Sequence, residues 1–318
     1  MNTLFLQLLA DRQGNPAGLL LALSGGPPEE PAQPLLRLAA RIPCHYRPGL
    51  SERCAAPLRK AGWHELPSGR TVHADRPPGN SLPGHVMWIE GDWALALPQR
   101  PAGNGAASRA LALQLVQHVA ADADTHDIEE LLRRDATLSY HLLRLVNSLG
   151  MGSGRKVTSF SQAILLLGRQ QLRRWLNLML FAARGGDERS AMLLARVSVR
   201  ARLMELLARA IGLDRLNQEQ AFMTGMFSLL GVLFGAPLAD VLAPLAIADA
   251  VQGALLDRQG EQGALLALVE AAERSDFGPV AAALDRARLP AADFNAMVVE
   301  ANEWMLVVTG DVAGRSHG

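Results

Sequence analysis

Beyond residue 105 the apolar residues recur at steps of three and four; before it they come in short blocks broken by Pro and Gly. In DIEELLRRDATLSYHLLRLVNSLG (127–150), Ile128, Leu131, Leu132, Leu138, Leu142, Leu145, Val146 and Leu149 make one stripe, which predicts a helix. Asp127 with Glu130 has the form of a capping box. Ser159 with Gln162 repeats it: the hydroxyl accepts from the amide three residues on, while Gln162 reaches back. That second helix continues through Ala163, Leu167, Leu172, Trp175, Leu176 and Met179. Further helices are predicted at 188–211, 218–235, 238–256, 261–274, 279–288 and 291–308, with a frayed tail after them.

The first hundred residues read differently. LFLQLLA (4–10) and GLLLALS (18–24) flank DRQGNPA, whose Gly14, Asn15 and Pro16 are turn residues, so a hairpin is expected. In HVMWIEGDWALAL, Gly91-Asp92 separates two strand-like runs and predicts a second hairpin. PLLRLAAR (34–41) is a helical candidate, and PQRPAGNGAAS (98–108) reads as a linker. The expected architecture is mostly α: a small α+β domain over 1–105, then an all-helical domain over 106–318.

One stretch, FMTGMFSLLGVLFGAPLA (222–239), has no charged side chain. Its length only just reaches the roughly 18–20 residues a membrane span needs. Gly225, Gly231, Gly235 and Pro237 interrupt it, and no Lys or Arg lies close to either end. A buried helix is the better reading.

Composition narrows the partners. Lys plus Arg equals Asp plus Glu at 31 each, so bulk charge gives no case for nucleic acid or an anionic membrane. Only Lys60 and Lys156 are lysines. The two cysteines, Cys44 and Cys54, make no CxxC pair and no disulfide framework. With no signal-peptide pattern in MNTLFLQLLADRQGNP, a cytoplasmic location is expected.

Candidate chemistry is sparse. Cys44, His45, Cys54, His64, His73 and His85 are metal-ligand types, but their spacing is long and irregular, and they read as surface and core residues. His126-Asp127 falls at a helix start, where Asp is an ordinary cap. There is no Walker loop, no GxGxxG and no GxSxG. The clusters Arg133-Arg134, Arg169/Arg173/Arg174 and Arg196/Arg200/Arg202 read as solvated helix faces, with no interleaved aromatics to suggest nucleic acid.

Four segments carry a family resemblance: RDATLSYHLLRLVNSLGMG (134–152), VTSFSQAILLLGRQQLRRWLNLML (157–180), AFMTGMFSLLGVLFG (221–235) and LLDRQGEQGALLALVEAAERSDF (255–277). Together they resemble the HDOD domain of bacterial signalling proteins, a modified member of the HD phosphohydrolase superfamily. Asp135, Leu138, Leu143, Asn147-Ser148, Ser159, Gln162-Ala163 and Leu167-Gly168 fall at the positions the pattern features. The fourth segment is similar to the variant fused to EAL domains. Catalytic HD proteins carry a His-Asp doublet where this chain has Ser228-Leu229, and another His at about Val197. The resemblance therefore implies an abandoned metal site, with no cofactor and no catalytic residue.

TLFLQLLADRQGNPAGLLLALSG resembles the opening hairpin of degenerate EAL domains. Functional EAL domains hydrolyse cyclic di-GMP with metal-binding carboxylates; this chain has Leu20 or Leu21 at the first of those positions. IEGDWALALP (89–98) is similar to the last strand of that domain. A TIM-like barrel needs roughly 200–250 residues. Residues 1–105 are thus expected to be a truncated remnant, with a standalone module as the alternative.

The function these observations imply is a non-enzymatic signalling or scaffold protein whose partners are other signalling proteins, with a cyclic di-GMP link and homo-oligomerisation both open. A nucleotide or small-ligand sensor is the alternative; Asp135, Ser139, Asn147, Ser148 and Ser159 are its candidate lining. A phosphohydrolase with displaced ligands at His118, His126 and His141 is the third reading. Gln162, Arg173, Arg174 and Trp175 are candidate interaction residues, since Trp and Arg are enriched at interface hot spots. Trp175 and Trp304 also lie on apolar stripes that suit core packing.

Overall fold

The hairpin at the start of the chain forms as its two apolar runs and the turn residues between them predict. In the computed structural model, β1 (Leu4–Ala10) pairs antiparallel with β2 (Pro16–Leu23), in register from Leu4↔Leu23 to Leu9↔Gly18, with a bulge at Leu9/Ala10. Asp11 makes the turn: its Oδ1 accepts from the amides of Gln13 and Asn15, both at 2.9 Å. Gly14 supplies a positive φ of 81°, and a Cβ there would lie 2.8 Å from the Glu188 carbonyl. The structure describes residues 2–25, 33–79, 82–98, 187–245 and 247–309, the helical backbone on to 313, and single positions between 114 and 181.

From β2 the chain alternates. Helix α1 (Gln33–Arg37) runs into a 3-10 turn at Leu38–Ala40, β3 (Cys44–Tyr46) follows, then α2 (Glu52–Lys60) and β4 (His64–Glu65). β3 is parallel to β2, and β4 to β3. β5 (Thr71–His73) and β6 (Trp88–Glu90) are parallel to each other, and β6 meets β1 at Ala10↔Ile89. The six-stranded sheet has the order β4-β3-β2-β1-β6-β5.

The second hairpin does not form. β6 already lies between β1 and β5, so no free edge is left for a returning strand. After Gly91 (φ 99°) the chain instead makes a 3-10 turn at Trp93–Leu95, which buries the Trp93 indole. The Trp93 amide donates to the Ala74 carbonyl at 3.1 Å, closing this turn over the end of β5.

The C-terminal part is helical. α3 (Ser190–Ala210) is central and packs on α4 (Arg215–Phe227), α10 (Ala291–Ala313) and β1. Asp214 caps α4, accepting from the Asn217 amide at 2.8 Å. The helix expected over 218–235 is broken: α4 stops before Ser228, and α5 (Leu230–Phe234) begins after Leu229. The helix expected over 238–256 is also two pieces, α6 (Leu238–Leu242) and α7 (Asp249–Asp257). Pro244 accounts for that break, because it has no amide to continue the ladder. α8 (Gly260–Glu273) and α9 (Phe277–Arg286) lead to α10.

The uncharged run 222–239 lies in this core. Phe222, Met226, Phe227, Leu230 and Leu233 are all buried. Among the described residues no helix is long and apolar enough to cross a membrane. Sheet and helices share one hydrophobic cluster, and Asn295 of α10 stitches them: it accepts from the Leu4 amide at 2.9 Å and donates to the Asn2 carbonyl at 2.8 Å.

Both cysteines sit inside the sheet domain. Burial pushes the Cys44 thiol up to about 12, and it raises Cys54 as well. A thiol kept protonated and covered is a poor nucleophile. Ellman's reagent at neutral pH is therefore expected to label neither cysteine in the native protein and both after denaturation. A fast-reacting equivalent before unfolding would contradict this packing.

Candidate functional site

Helix α3 carries LLARVSVRARLMELLA, apolar on nearly every side. An arginine in such a helix cannot avoid burial. Arg200, with a side chain 5% exposed, is held by three groups. Its Nε and Nη2 donate to the two carboxylate oxygens of Glu273 at 2.8 and 2.5 Å. Its Nη1 donates to Ser228 Oγ at 2.8 Å and lies 3.7 Å from Glu270 Oε1. Ser228 Oγ passes its own hydrogen to the Gly225 carbonyl at 2.7 Å. Burial works against the guanidinium charge. Glu273 first, with Glu270 and Asp92, more than offsets it and raises the Arg200 pKa.

This network stands at the break between α4 and α5. Ser228 and Leu229 occupy that break, and Val197 is fully buried one turn before Ala201 on α3. The sequence pattern suggested a helix emptied of polar groups there. The structure instead places a buried charge on Ser228, with its counter-charges on α8. The break costs the backbone helix bonds, and Ser228 offsets part of that by bonding back to Gly225.

Arg196, one turn before Arg200, faces the other way along the seam with the sheet. Its Nη2 donates to Asp92 Oδ1 at 2.7 Å and lies 3.4 Å from the Gly91 carbonyl. Gln7 of β1 adds a second tie, donating to Ser275 Oγ at 3.0 Å, with Ser275 in the left-handed region at φ 57°. Arg202 pairs with Glu205 and Glu300 at 2.7 and 2.5 Å. The reading of Arg196, Arg200 and Arg202 as a solvated face is thus corrected. Apart from Glu205, three residues after Arg202, their partners come from elements far apart in sequence, which no local pattern reveals.

Arg174 is likewise internal. It pairs with Glu219 and, at 2.8 Å, with Glu205, and its guanidinium lies 4.4 Å over the Phe222 ring. Trp304 meets Phe222 edge-on, with centroids 5.8 Å apart. Asp135, Ser139, Asn147, Ser148, Ser159, Gln162, Arg173 and Trp175 lie outside the described residues, as do His126, His141 and most of the expected linker.

The histidines and cysteines of the sheet domain do not converge. His45 is buried edge-on to Trp88 at 4.9 Å, where burial first, then His64, lowers its pKa. His73 lies near Asp75 and Glu90 instead. Among the described residues no group of three or more His, Cys, Asp or Glu side chains is placed to hold a metal ion.

The residues at the α4–α5 break do not fit a metal of the HD type. Leu229 and Val197 cannot ligate, and Ser228 is a poor substitute for imidazole or carboxylate. Glu270 and Glu273 could ligate, but both face a guanidinium. A divalent cation at about 5 Å from it would meet roughly 6–7 kcal/mol of repulsion at an effective dielectric of about 20.

A six-stranded sheet joined to a set of packed helices, with a buried arginine at the break between two of them, makes up the described part of the chain. Residues 108–261 match the HDOD domain. The chain is 31% identical to the cyclic di-GMP phosphodiesterase CdgJ of Vibrio cholerae over 195 residues, 61% of this chain and 45% of CdgJ. It is 32% identical to the uncharacterized protein YuxH of Bacillus subtilis over 152 residues, 47% of this chain and 37% of YuxH. The chain thus spans less than half the length of these relatives. Among solved structures it is similar to a putative phosphohydrolase from Shewanella amazonensis. The TM-score is 0.46 at 15% identity, covering 69% of this chain and 98% of that one. It is also similar to an HDOD domain protein of unknown function from Geobacter sulfurreducens. There the TM-score is 0.30 at 22% identity, covering 66% and 72%.

Proposed function

We propose that this chain is a non-enzymatic, cytoplasmic signal-transduction or scaffold protein that acts by binding other signalling proteins through its HDOD domain. The observation that carries this reading is the Arg200 guanidinium hydrogen-bonded to Ser228, where a catalytic relative would keep His-Asp. A fixed cation there supplies structurally what a metal would otherwise organise. It leaves no Lewis acid and no activated water. Similarity to CdgJ supports placing the protein in a cyclic di-GMP pathway, as a regulator rather than a hydrolase.

The sheet domain supports the same reading. β2–α1–β3–α2–β4 is a run of parallel βα units, the repeat from which a barrel is built. It ends after β4, and the sheet continues on its other side through β1, β6 and β5. Leu20 and Leu21, the two residues at the place of the first EAL carboxylate, both pack in apolar clusters, Leu20 with Leu9, Leu66 and Trp88. A carboxylate there would be buried in apolar surroundings. This favours a shortened EAL remnant kept as a scaffold.

The test joins metal content with turnover. Full-length protein purified without chelators is expected to hold well below one equivalent of Mn, Fe, Ni or Zn by plasma mass spectrometry. It is also expected to leave cyclic di-GMP intact when these metals are supplied. A retained equivalent with hydrolysis would overturn the reading.

A further inference from the structure

Apart from the main core, the sheet holds a small apolar cluster of Leu9, Leu20, Leu66 and Trp88. His45 of β3 lies against it, in register with Leu20 and edge-on to Trp88 at 4.9 Å. Its side chain is buried, and neither ring nitrogen has a hydrogen-bond partner among the described residues. Buried polar groups are nearly always paired, so such a ring is exceptional. No counter-charge stands ready for it. β1 and β2 carry no titratable side chain. β4 brings His64, the register partner of His45, and the exposed Glu65, which alternation turns to the other face. Glu90 of β6 is held by Arg47 at 2.8 Å and has His73 on its other side at 4.0 Å. Arg70, between β4 and β5, donates to the Met87 sulfur at 3.4 Å.

We infer that His45 is an acid-sensitive catch on the edge strand β4: neutral, it lets the edge close over Leu20 and Trp88; protonated, it drives the edge open. β4 is the weakest part of the sheet. Two residues in register with β3 hold it, together with the Leu66 amide donating to the Tyr46 carbonyl at 2.8 Å. An imidazolium against Leu20 and Trp88 would be a charge in apolar surroundings, and a charged His64 directly opposite would repel it. Leu19, Leu21, Cys44 and Tyr46 anchor β2 and β3 in the main core, so the opening is confined to β4 and Leu66. The direction with pH follows from the environment. Burial first, then His64, lowers the pKa of His45 below 6.5, and the nearby backbone of Glu65 and His64 opposes this less. The open form therefore takes up the proton before the closed one. Closure is complete above about pH 6.5 and weakens as the pH falls, until the closed form is itself protonated. This goes beyond the signalling reading and does not depend on it.

Hydrogen exchange of the full chain, followed by mass spectrometry and corrected for the intrinsic pH dependence of amide exchange, tests the inference. Protection of residues 64–66 is expected to hold from about pH 7.5 to 6.5, then to fall by up to about tenfold per pH unit, while α3 keeps its protection. His45→Gln removes the titration and keeps a polar side chain, so its protection at 64–66 should not vary with pH over that range. The α3 amides report whether the variant is folded. His64→Gln should retain the fall, because His45 is still buried. Nuclear magnetic resonance of the wild-type chain with isotope-labelled histidine needs no stable variant: the His45 ring should titrate below 6.5. An acid loss of protection that persists in H45Q, one that vanishes in H64Q, or a His45 midpoint at or above 6.5 would overturn the proposal. None of these results bears on metal content, so this test and that of the signalling reading fail independently.

Discussion

Arg200→Met is expected to lower the stability of the folded chain by about 3–5 kcal/mol, read as a fall in the urea midpoint at constant slope. The loss is larger than the pair itself contributes. Methionine fills similar volume, but Glu273 loses both of its donors at once and Ser228 loses its guanidinium. An uncompensated buried carboxylate costs more than a missing bond. Arg200→Lys keeps the charge and loses the two-pronged contact, so its effect should fall between wild type and R200M. The double variant R200M/E273L is the discriminating arm. If the pair is held in place by its geometry and not by large net stability, removing both charges should recover most of the R200M loss. A double variant as unstable as R200M would mean that Glu270 or Asp92 carries the electrostatic burden instead.

The result bears on function because Arg200 and Arg196 stand one turn apart on α3. One reaches the helix break, the other the turn after β6. A rigid helix joins them, so a change at the sheet seam and a change at Ser228 are mechanically connected. A signalling role asks for such a connection between two surfaces. The regulatory reading and the stability prediction thus rest on the same four side chains: Arg196, Arg200, Ser228 and Glu273.

How much of this could be read beforehand depends on whether the signal is local. The first hairpin was legible because two apolar runs and the turn residues Gly14, Asn15 and Pro16 lie within about twenty residues of one another. α3, α8, α9 and α10 were legible because their apolar period is long and uninterrupted. The break at Ser228–Leu229 was not, since apolar residues flank it on both sides and hide the change of axis. The second hairpin misled because pairing on both sides of β6 is decided by β1 and β5, not by Gly91-Asp92. At the site, the reading of Val197, Ser228 and Leu229 as vestigial positions rests on resemblance alone. The Arg200–Glu273 pair could not be foreseen, because its members are 73 residues apart. One clue was present: arginines amid LLARVSVRARLMELLA have so apolar a helix around them that some must be buried and paired.

Gly225→Val is expected to cost about 3 kcal/mol or more, although valine replaces the poorest helix former but proline inside α4. A Cβ at Gly225 would lie 2.6 Å from Ala201 Cα and 2.9 Å from its amide nitrogen. These are backbone atoms of α3, so no rotamer change can relieve the contact. The two helices must separate, and overpacking of that kind typically costs about 1–3 kcal/mol even for smaller insertions. Gly225→Ala should show the same sign with a smaller loss, since its gain in helix propensity offsets part of the clash. The diagnostic arm is Ala201→Gly in the Gly225→Ala background. Trimming the Ala201 methyl leaves Cα and N in place, so rescue should not occur. Rescue would place the contact at the side chain and disprove the close backbone approach. Gly225 also presents the carbonyl that Ser228 bonds, three residues before the helix break. Displacing it should therefore weaken the Arg200–Ser228 contact too, and in G225A the cost of R200M should be smaller than in wild type, because neighbours in one network do not add.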